Sequence, residues 1–210
     1  MARTRSSYGA ARWQDRGVSL FVISGVPAAG KTTVARLLAG RLDRAVCVPG
    51  DAIRAMVVTG RADMRPDAGE AELRQLLLRY QGALAVASVY LNAGFDVVLE
   101  DVIIGSVLRE FLALVPVPEA HLVFLDPCAT TVAERDRGRQ KTAYGDHWNV
   151  GELRDVLRLE TARLGLWLDS TGLSAEQTVD AILGDLGASL VRLTRPSSPP
   201  APQVPSGPPC

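Results

Sequence analysis

Apolar runs and helix-periodic stretches alternate along most of this chain. Val18–Ser24 (VSLFVIS) is a continuous apolar run, the pattern of a strand buried on both faces. A Gly-rich turn follows it. Thr32–Leu42 places Val34, Leu37, Leu38 and Leu42 on one face and predicts a helix. Ala45–Val48 predicts a short strand. The segment Pro66-Asp67-Ala68-Gly69-Glu70 opens a long helix, Asp67–Asn92, with Asp67 as N-cap and Glu70 three positions on. Its inward stripe reads Leu73, Leu77, Tyr80, Leu84, Ala87 and Leu91, and Gly94 stops it. Phe95–Leu99 (FDVVL) and His121–Leu125 (HLVFL) predict further buried strands. Asp126-Pro127 fits the N-cap and first position of a helix, and Asn149 with Glu152 caps another. Leu166–Leu168 is a last strand. Ser174-Ala175-Glu176-Gln177 is a capping box ahead of Val179, Ile182, Leu183 and Leu186. Five strands separated by helices predict a parallel sheet covered on both faces, with ligands at the carboxyl ends of its strands.

The two ends break this pattern. Residues 1–17 read as a flexible arm. The last twelve residues hold six prolines, so 193–210 should be a disordered Pro-rich tail. One domain remains, 18–192. No internal repeat is visible. Overall composition agrees: 210 residues with 47% hydrophobic content suffice for a sizeable core. Twenty-three basic residues balance 23 acidic ones, which argues against generic nucleic-acid binding and against polybasic membrane binding. No apolar run approaches the roughly 20 residues that span a bilayer. The basic N-terminus lacks an apolar signal core, and the three cysteines form no CxxC pair or zinc spacing. A cytoplasmic location is the expectation, with Cys47 as a small core hydrophobe. Among the basic residues only Lys31 and Lys141 are lysines, the bias of a GC-rich genome.

Lys31 stands in the strongest motif. Gly25-Val26-Pro27-Ala28-Ala29-Gly30-Lys31-Thr32 fits G-x-x-x-x-G-K-[ST] in full, between a predicted strand and a predicted helix. Glycines let the backbone curl until its N–H groups face phosphate oxygens, and the helix adds its positive end. Gly25, Ala28, Ala29, Gly30, Lys31, Thr32 and Thr33 are therefore the candidate nucleotide-binding residues. Lys31 is expected on an accessible loop, where it reaches the β- and γ-phosphates of ATP, while the Thr32 hydroxyl serves Mg²⁺.

Acids end two other strands. Asp51 follows Val48-Pro49-Gly50. If that strand neighbours the phosphate-loop strand, Asp51 points into the crevice and can take a proton from an attacking alcohol. The alternative is a plain helix cap. Arg54, one turn on, is a candidate for substrate or phosphate. Glu100 and Asp101 end Val97-Val98-Leu99 in a Walker B arrangement. Strand alternation gives them different directions, one toward the metal and the other toward substrate; Glu100 is the metal candidate and Asp101 the substrate candidate, with the opposite assignment left open. The bland reading is a solvated acid pair.

Arg135-Asp136-Arg137-Gly138-Arg139-Gln140-Lys141 packs four cations into seven residues. It predicts a lid at about 136–150, with Arg135 and Arg139 as catalytic candidates closing on the triphosphate; a solvated helix end is the alternative. Asp169-Ser170-Thr171-Gly172 either lines an adenine pocket or makes an ordinary turn. His121 and His147 lack ligand spacing; Tyr144 and Trp148 lie near the lid.

Taken together, Gly25–Thr33, Gly50-Asp51, Glu100-Asp101-Val102 and the arginine segment resemble the small P-loop kinases of the nucleoside-monophosphate-kinase-like fold, most nearly the chloramphenicol phosphotransferase-like proteins. The resemblance implies an α/β three-layer P-loop NTPase: a five-stranded parallel sheet of order 2-3-1-4-5, helices on both faces and a short lid. It implies Asp51 as the base, Lys31 and Thr32 on phosphate and magnesium, and arginines of 135–139 as lid. Glu100 departs from the pattern, since such sequences tend to carry Asp there. The function expected is transfer of the ATP γ-phosphoryl group to a hydroxyl of a small molecule, such as an antibiotic or other secondary metabolite. The alternatives are a nucleoside, nucleotide or nucleotide-sugar kinase, and a nucleotide-switched binding protein with little transfer. The partner expected is a small-molecule hydroxyl acceptor, with oligomerisation open.

Overall fold

The computed structural model describes residues 17–65, 67–137 and 150–193. The arm, most of the lid and the Pro-rich tail lie outside them, as do Arg139, Lys141, Tyr144, His147, Trp148 and Asn149.

The chain runs β1 (Leu20–Gly25), α1 (Lys31–Arg41), β2 (Ala45–Pro49), α2 (Gly50–Ala55), α3 (Glu70–Asn92), β3 (Asp96–Glu100), α4 (Val107–Leu114) and β4 (Glu119–Leu125). It continues through α5 (Ala129–Arg137), α6 (Val150–Asp155), a π-helical turn (Val156–Glu160), β5 (Leu166–Leu168), α7 (Ala175–Gly184), α8 (Leu186–Ser189) and β6 (Leu190–Arg192). Five parallel strands lie in the order β2-β3-β1-β4-β5, as expected. The sheet has one more strand than the sequence indicates. β6 pairs antiparallel with the first residues of β4, through Glu119–Arg192 and His121–Leu190, while β5 takes the last residues of the same edge.

β1 and β3 supply the centre, and every residue of β1 is buried. Helix α1 covers the sheet with Val34, Ala35 and Leu38; Leu37 and Leu42 are only partly covered. The long helix begins later than its capping signals indicate. Gly69 is the N-cap, and the Glu72 carboxylate accepts a hydrogen bond from its N–H at 3.0 Å. Asp67 and Glu70 play no such part. The buried face is Leu76, Tyr80, Ala83, Leu84, Ala87 and Leu91, with Leu73 turned to solvent. Asp126 does not cap α5, which begins three residues later. The Ser174 box is present: its hydroxyl accepts from Gln177 N–H at 3.1 Å, and the Gln177 side chain accepts from Ser174 N–H at 2.8 Å. That helix stops at Gly184, so Leu186 faces solvent.

One expectation about neighbours fails. β2, the strand before Asp51, does not touch β1, because β3 lies between them. Glu100 at the end of β3 pairs in register with Ile23 of β1 on one side and Pro49 of β2 on the other. Asp51 therefore lies across the β3 terminus from the phosphate-loop strand.

Gly25 closes β1 beside Leu125 of β4. Its φ of 138° and the Leu125 carbonyl, which a Cβ would strike, both demand glycine. Gly25→Ala is expected to destabilise the fold by about 2 kcal/mol or more. A lower denaturant midpoint with an unchanged slope is the expected readout.

Candidate active site

The phosphate loop bridges β1 and α1. Ala28 at φ 60° and Gly30 at φ 102° hold left-handed backbone, and Ala28 does so despite its Cβ, a strain that marks functional turns. Gly30 is the N-cap of α1 and contributes no side-chain cap, so the first-turn N–H groups of this eleven-residue helix face the loop's concavity. Lys31 curls back over the loop, and its ammonium donates to the Val26 carbonyl at 2.9 Å. It is only 8% exposed, not the accessible lysine that loop chemistry predicts.

Thr32 and Glu100 meet as the motifs anticipate. The Thr32 hydroxyl donates to Glu100 Oε1 at 2.9 Å. Burial pushes the Glu100 carboxyl up, and the Lys31 charge and Thr32 hydrogen bond pull it partly back. A buried carboxylate beside a hydroxyl at a phosphate loop is a hard-oxygen pair that fits Mg²⁺. This ion needs only one or two protein oxygens when phosphates and waters supply the rest. Glu100 keeps this place despite its extra methylene.

Asp101 turns the other way, toward α3. It is 4% exposed and ion-paired with Arg79, and its Oδ1 also accepts from its own neighbour, Val102 N–H, at 2.7 Å. The Tyr80 hydroxyl donates to the Val102 carbonyl at 2.8 Å and ties the same turn to α3. Asp101 Oδ2 is buried with no hydrogen-bond partner and packs against Gly50, the residue before Asp51. Burial raises the Asp101 carboxyl to about 6, against the pull of Arg79 and the Val102 hydrogen bond. The unfolded carboxyl, at about 3.9, ionises first as pH rises. Between those values the folded state holds more protons, so stability falls as pH rises from about 4 to about 6. Asp101→Asn is expected to remove this part of the decline. Denaturant midpoints of both proteins across that range check it.

Asp51 and Arg54 lie on α2. Asp51 sits in the first turn, and the cap is Pro49, so the capping role fails. Its side chain is 83% exposed and 3.9 Å from the Arg54 guanidinium. Arg54 is held mainly by Asp63, through Nε at 2.8 Å and Nη2 at 2.6 Å. This fork draws the Asp63 carboxyl below its ordinary range. Gln75 pins the same loop, accepting from Ala62 N–H at 2.7 Å and donating to the Gly60 carbonyl at 3.0 Å. The side of the site that carries Asp51 is thus walled by α2, this loop and α3.

On the opposite side, Arg135 joins two loops. Nη1 donates to the Ala29 carbonyl at 3.0 Å and Nη2 to the Ser170 carbonyl at 3.2 Å. A cavity of about 390 Å³ opens there, lined among others by Ala28, Ala29, Gly30, Thr33, Arg135 and Ser170. Its place at the phosphate loop and its size suit the base and ribose of a nucleotide. The Asp169–Gly172 loop lines it through Ser170, and Asp169 fixes that loop by accepting from Thr171 N–H at 2.9 Å. Arg79 is the residue that sequence reading misses here. One more arginine on a helix carries no local signal.

Comparison with known proteins places the chain. An AAA-domain family model, AAA_33, matches residues 20–158. The chain belongs to this family. Its fold is that of small P-loop kinases. A sugar kinase from Janibacter sp. HTCC2649 shares 19% identity over 82% of this chain and 96% of its own, with a TM-score of 0.58. The tunicamycin resistance protein of Deinococcus radiodurans shares 18% over 86% and 99%, with a TM-score of 0.57. A gluconokinase from Sinorhizobium meliloti 1021 shares 20% over 80% and 91%, at 0.54. A search of curated proteins finds no significant match. Among the described residues no helix is long and apolar enough to cross a membrane.

Proposed function

We propose that this protein is an ATP-dependent phosphotransferase whose acceptor is a hydroxyl of a small molecule. The observation that carries the reading is the Thr32–Glu100 pair beneath a left-handed phosphate loop, with Asp51 exposed across the end of β3. Bound Mg²⁺·ATP supplies the phosphoryl group and neutralises part of its charge. The N–H groups of Ala28–Thr33 and the Lys31 ammonium hold the phosphates in this reading, and Thr32 and Glu100 hold the metal. Arg135 frames the base pocket. Asp51 accepts the proton of the acceptor hydroxyl at a carboxylate oxygen as that hydroxyl's oxygen bonds to the γ phosphorus and the bond from that phosphorus to the β–γ bridging oxygen breaks, leaving ADP. Arg54 and Asp101, the latter through its Arg79 partner, orient the acceptor.

The acceptor class we favour is an antibiotic or other secondary metabolite. The structural likeness to a tunicamycin resistance protein supports it. ADP release is to be measured with sugars, nucleosides and hydroxylated antibiotics each added in turn. Stimulation by an antibiotic above all others supports the class. Stimulation by nucleosides alone replaces it with a nucleoside kinase. A slow release that no compound changes, beside tight nucleotide binding, leaves a nucleotide-switched binder.

A further inference from the structure

Asp51 stands on α2, a helix of six residues with no side-chain cap. A helix this short does not hold itself in water, so its neighbours fix where it starts and points. Two contacts do so. In its middle, Ile53 seats on Gly82 of α3, where a Cβ would come within 3.0 Å of Ile53 Cγ2. At its start, Gly50 is buried against the Asp101 carboxylate, and a Cβ there would overlap Oδ2. Gly50 is helical, so close approach rather than backbone conformation demands glycine. Asp51 is the next residue. The place of the Asp101 carboxylate therefore sets the place from which Asp51 projects.

Asp101 is in turn held by Arg79. The pair is buried, with the Arg79 side chain 16% exposed and that of Asp101 4%. Arg79 Nε and Asp101 Oδ2 are both buried without a hydrogen-bond partner. A buried ion pair with a spare donor and a spare acceptor is costly to desolvate and seldom adds stability over an apolar pair of the same size. Docking α3 on the sheet therefore does not explain it. The guanidinium supplies direction. Asp101 Oδ1 is taken by Arg79 and by Val102 N–H, at 2.7 Å for the latter, which turns Oδ2 onto Gly50. The Tyr80 hydroxyl, next to Arg79 on α3, fixes the same turn through the Val102 carbonyl at 2.8 Å.

We propose that Arg79 is a positioning residue for Asp51: by locking the Asp101 carboxylate against Gly50 it fixes the start of α2, and with it the aim of the Asp51 carboxylate at the acceptor hydroxyl. The proposal rests on the reading of Asp51 as general base. It predicts a signature that a structural ion pair lacks. Loss of Arg79 lowers kcat because the base is misaimed, and that loss disappears once residue 51 cannot act as a base.

A double-mutant cycle on the full chain tests this, with Mg·ATP and the panel compound that most stimulates ADP release. Arg79→Met is expected to lower kcat by about ten- to a hundredfold with the KM for ATP unchanged. Made in Asp51→Asn, the same change is expected to cost about twofold or less. Arg79→Lys, which keeps the charge, is expected to recover part of the loss. Hydrogen exchange is expected to quicken in α2 of Arg79→Met and to stay unchanged in the phosphate loop. Should Arg79→Met fail to fold, Gly50→Ala, which pushes the start of α2 off Asp101, carries the same cycle. An unchanged kcat, an equal loss in both backgrounds, a rise in the KM for ATP alone, or unchanged exchange in α2 would each overturn the proposal and leave the reading of Asp51 standing. If Asp51→Asn alone keeps full kcat, or no compound stimulates ADP release, the reading beneath the proposal falls, and the proposal with it.

Discussion

Lys31→Met is expected to reduce phosphoryl transfer by about 10³-fold or more while the protein stays folded. Methionine is chosen over alanine because Lys31 is buried and its stem fills space inside the loop. The ammonium is the one fixed cation that the loop's own sequence supplies, and its Coulombic pull reaches Glu100. With the charge gone, the developing negative charge loses its nearest fixed partner. Glu100 also loses a stabilising neighbour, so the variant's carboxyl should protonate at a higher pH than in the wild type. Turnover at saturating ATP, with thermal unfolding as the control, is the check. Equal turnover in both proteins would remove the phosphate-loop assignment.

Asp51→Asn is expected to lower kcat by about 10²–10⁴-fold, the span of a lost general base. The structure sharpens this test. Asp51 caps no helix and is well exposed, so amide replacement should barely change stability or ATP affinity. A rise in KM with kcat intact would make Asp51 a binding group instead. An unchanged kcat and KM would move the base elsewhere, with Asp101 the next carboxylate across Gly50.

The centre of the fold is legible because its signals are local. A fully buried strand needs an unbroken apolar run, and β1, β3 and β4 have one. The phosphate loop is likewise a contiguous motif with its strand and helix attached. The start of α3 misleads because two overlapping box-like patterns occur two residues apart, Asp67–Glu70 and Gly69–Glu72. Packing on the sheet selects the second, and Leu76 replaces Leu73 in the buried face. β6 has no apolar run, only Leu190, Val191 and Arg192 against the free half of the β4 edge.

Within the site, Thr32 and Glu100 meet although 68 positions apart, because each follows from its own strand-end motif. Asp101 and Arg79 could not be paired from sequence, nor could Asp126 with Arg154 and Arg158. Those contacts exist only once α3 and the π-helical turn have docked. Asp126 in particular reads as a helix cap, since Asp-Pro ahead of a helix is a strong local cue. A long-range ion pair overrides it.

The most direct measurement uses ATP labelled with ¹⁸O on all γ-phosphate oxygens and mass spectrometry of a panel of hydroxyl compounds. Breaking the bond between the γ phosphorus and the bridging oxygen moves a phosphoryl group with its labelled peripheral oxygens onto the acceptor's unlabelled hydroxyl oxygen. The account predicts a phosphate ester carrying that label with wild type, lost with Lys31→Met and strongly slowed with Asp51→Asn. Label found only in ATP and inorganic phosphate, at a rate that no hydroxyl compound changes, would contradict it.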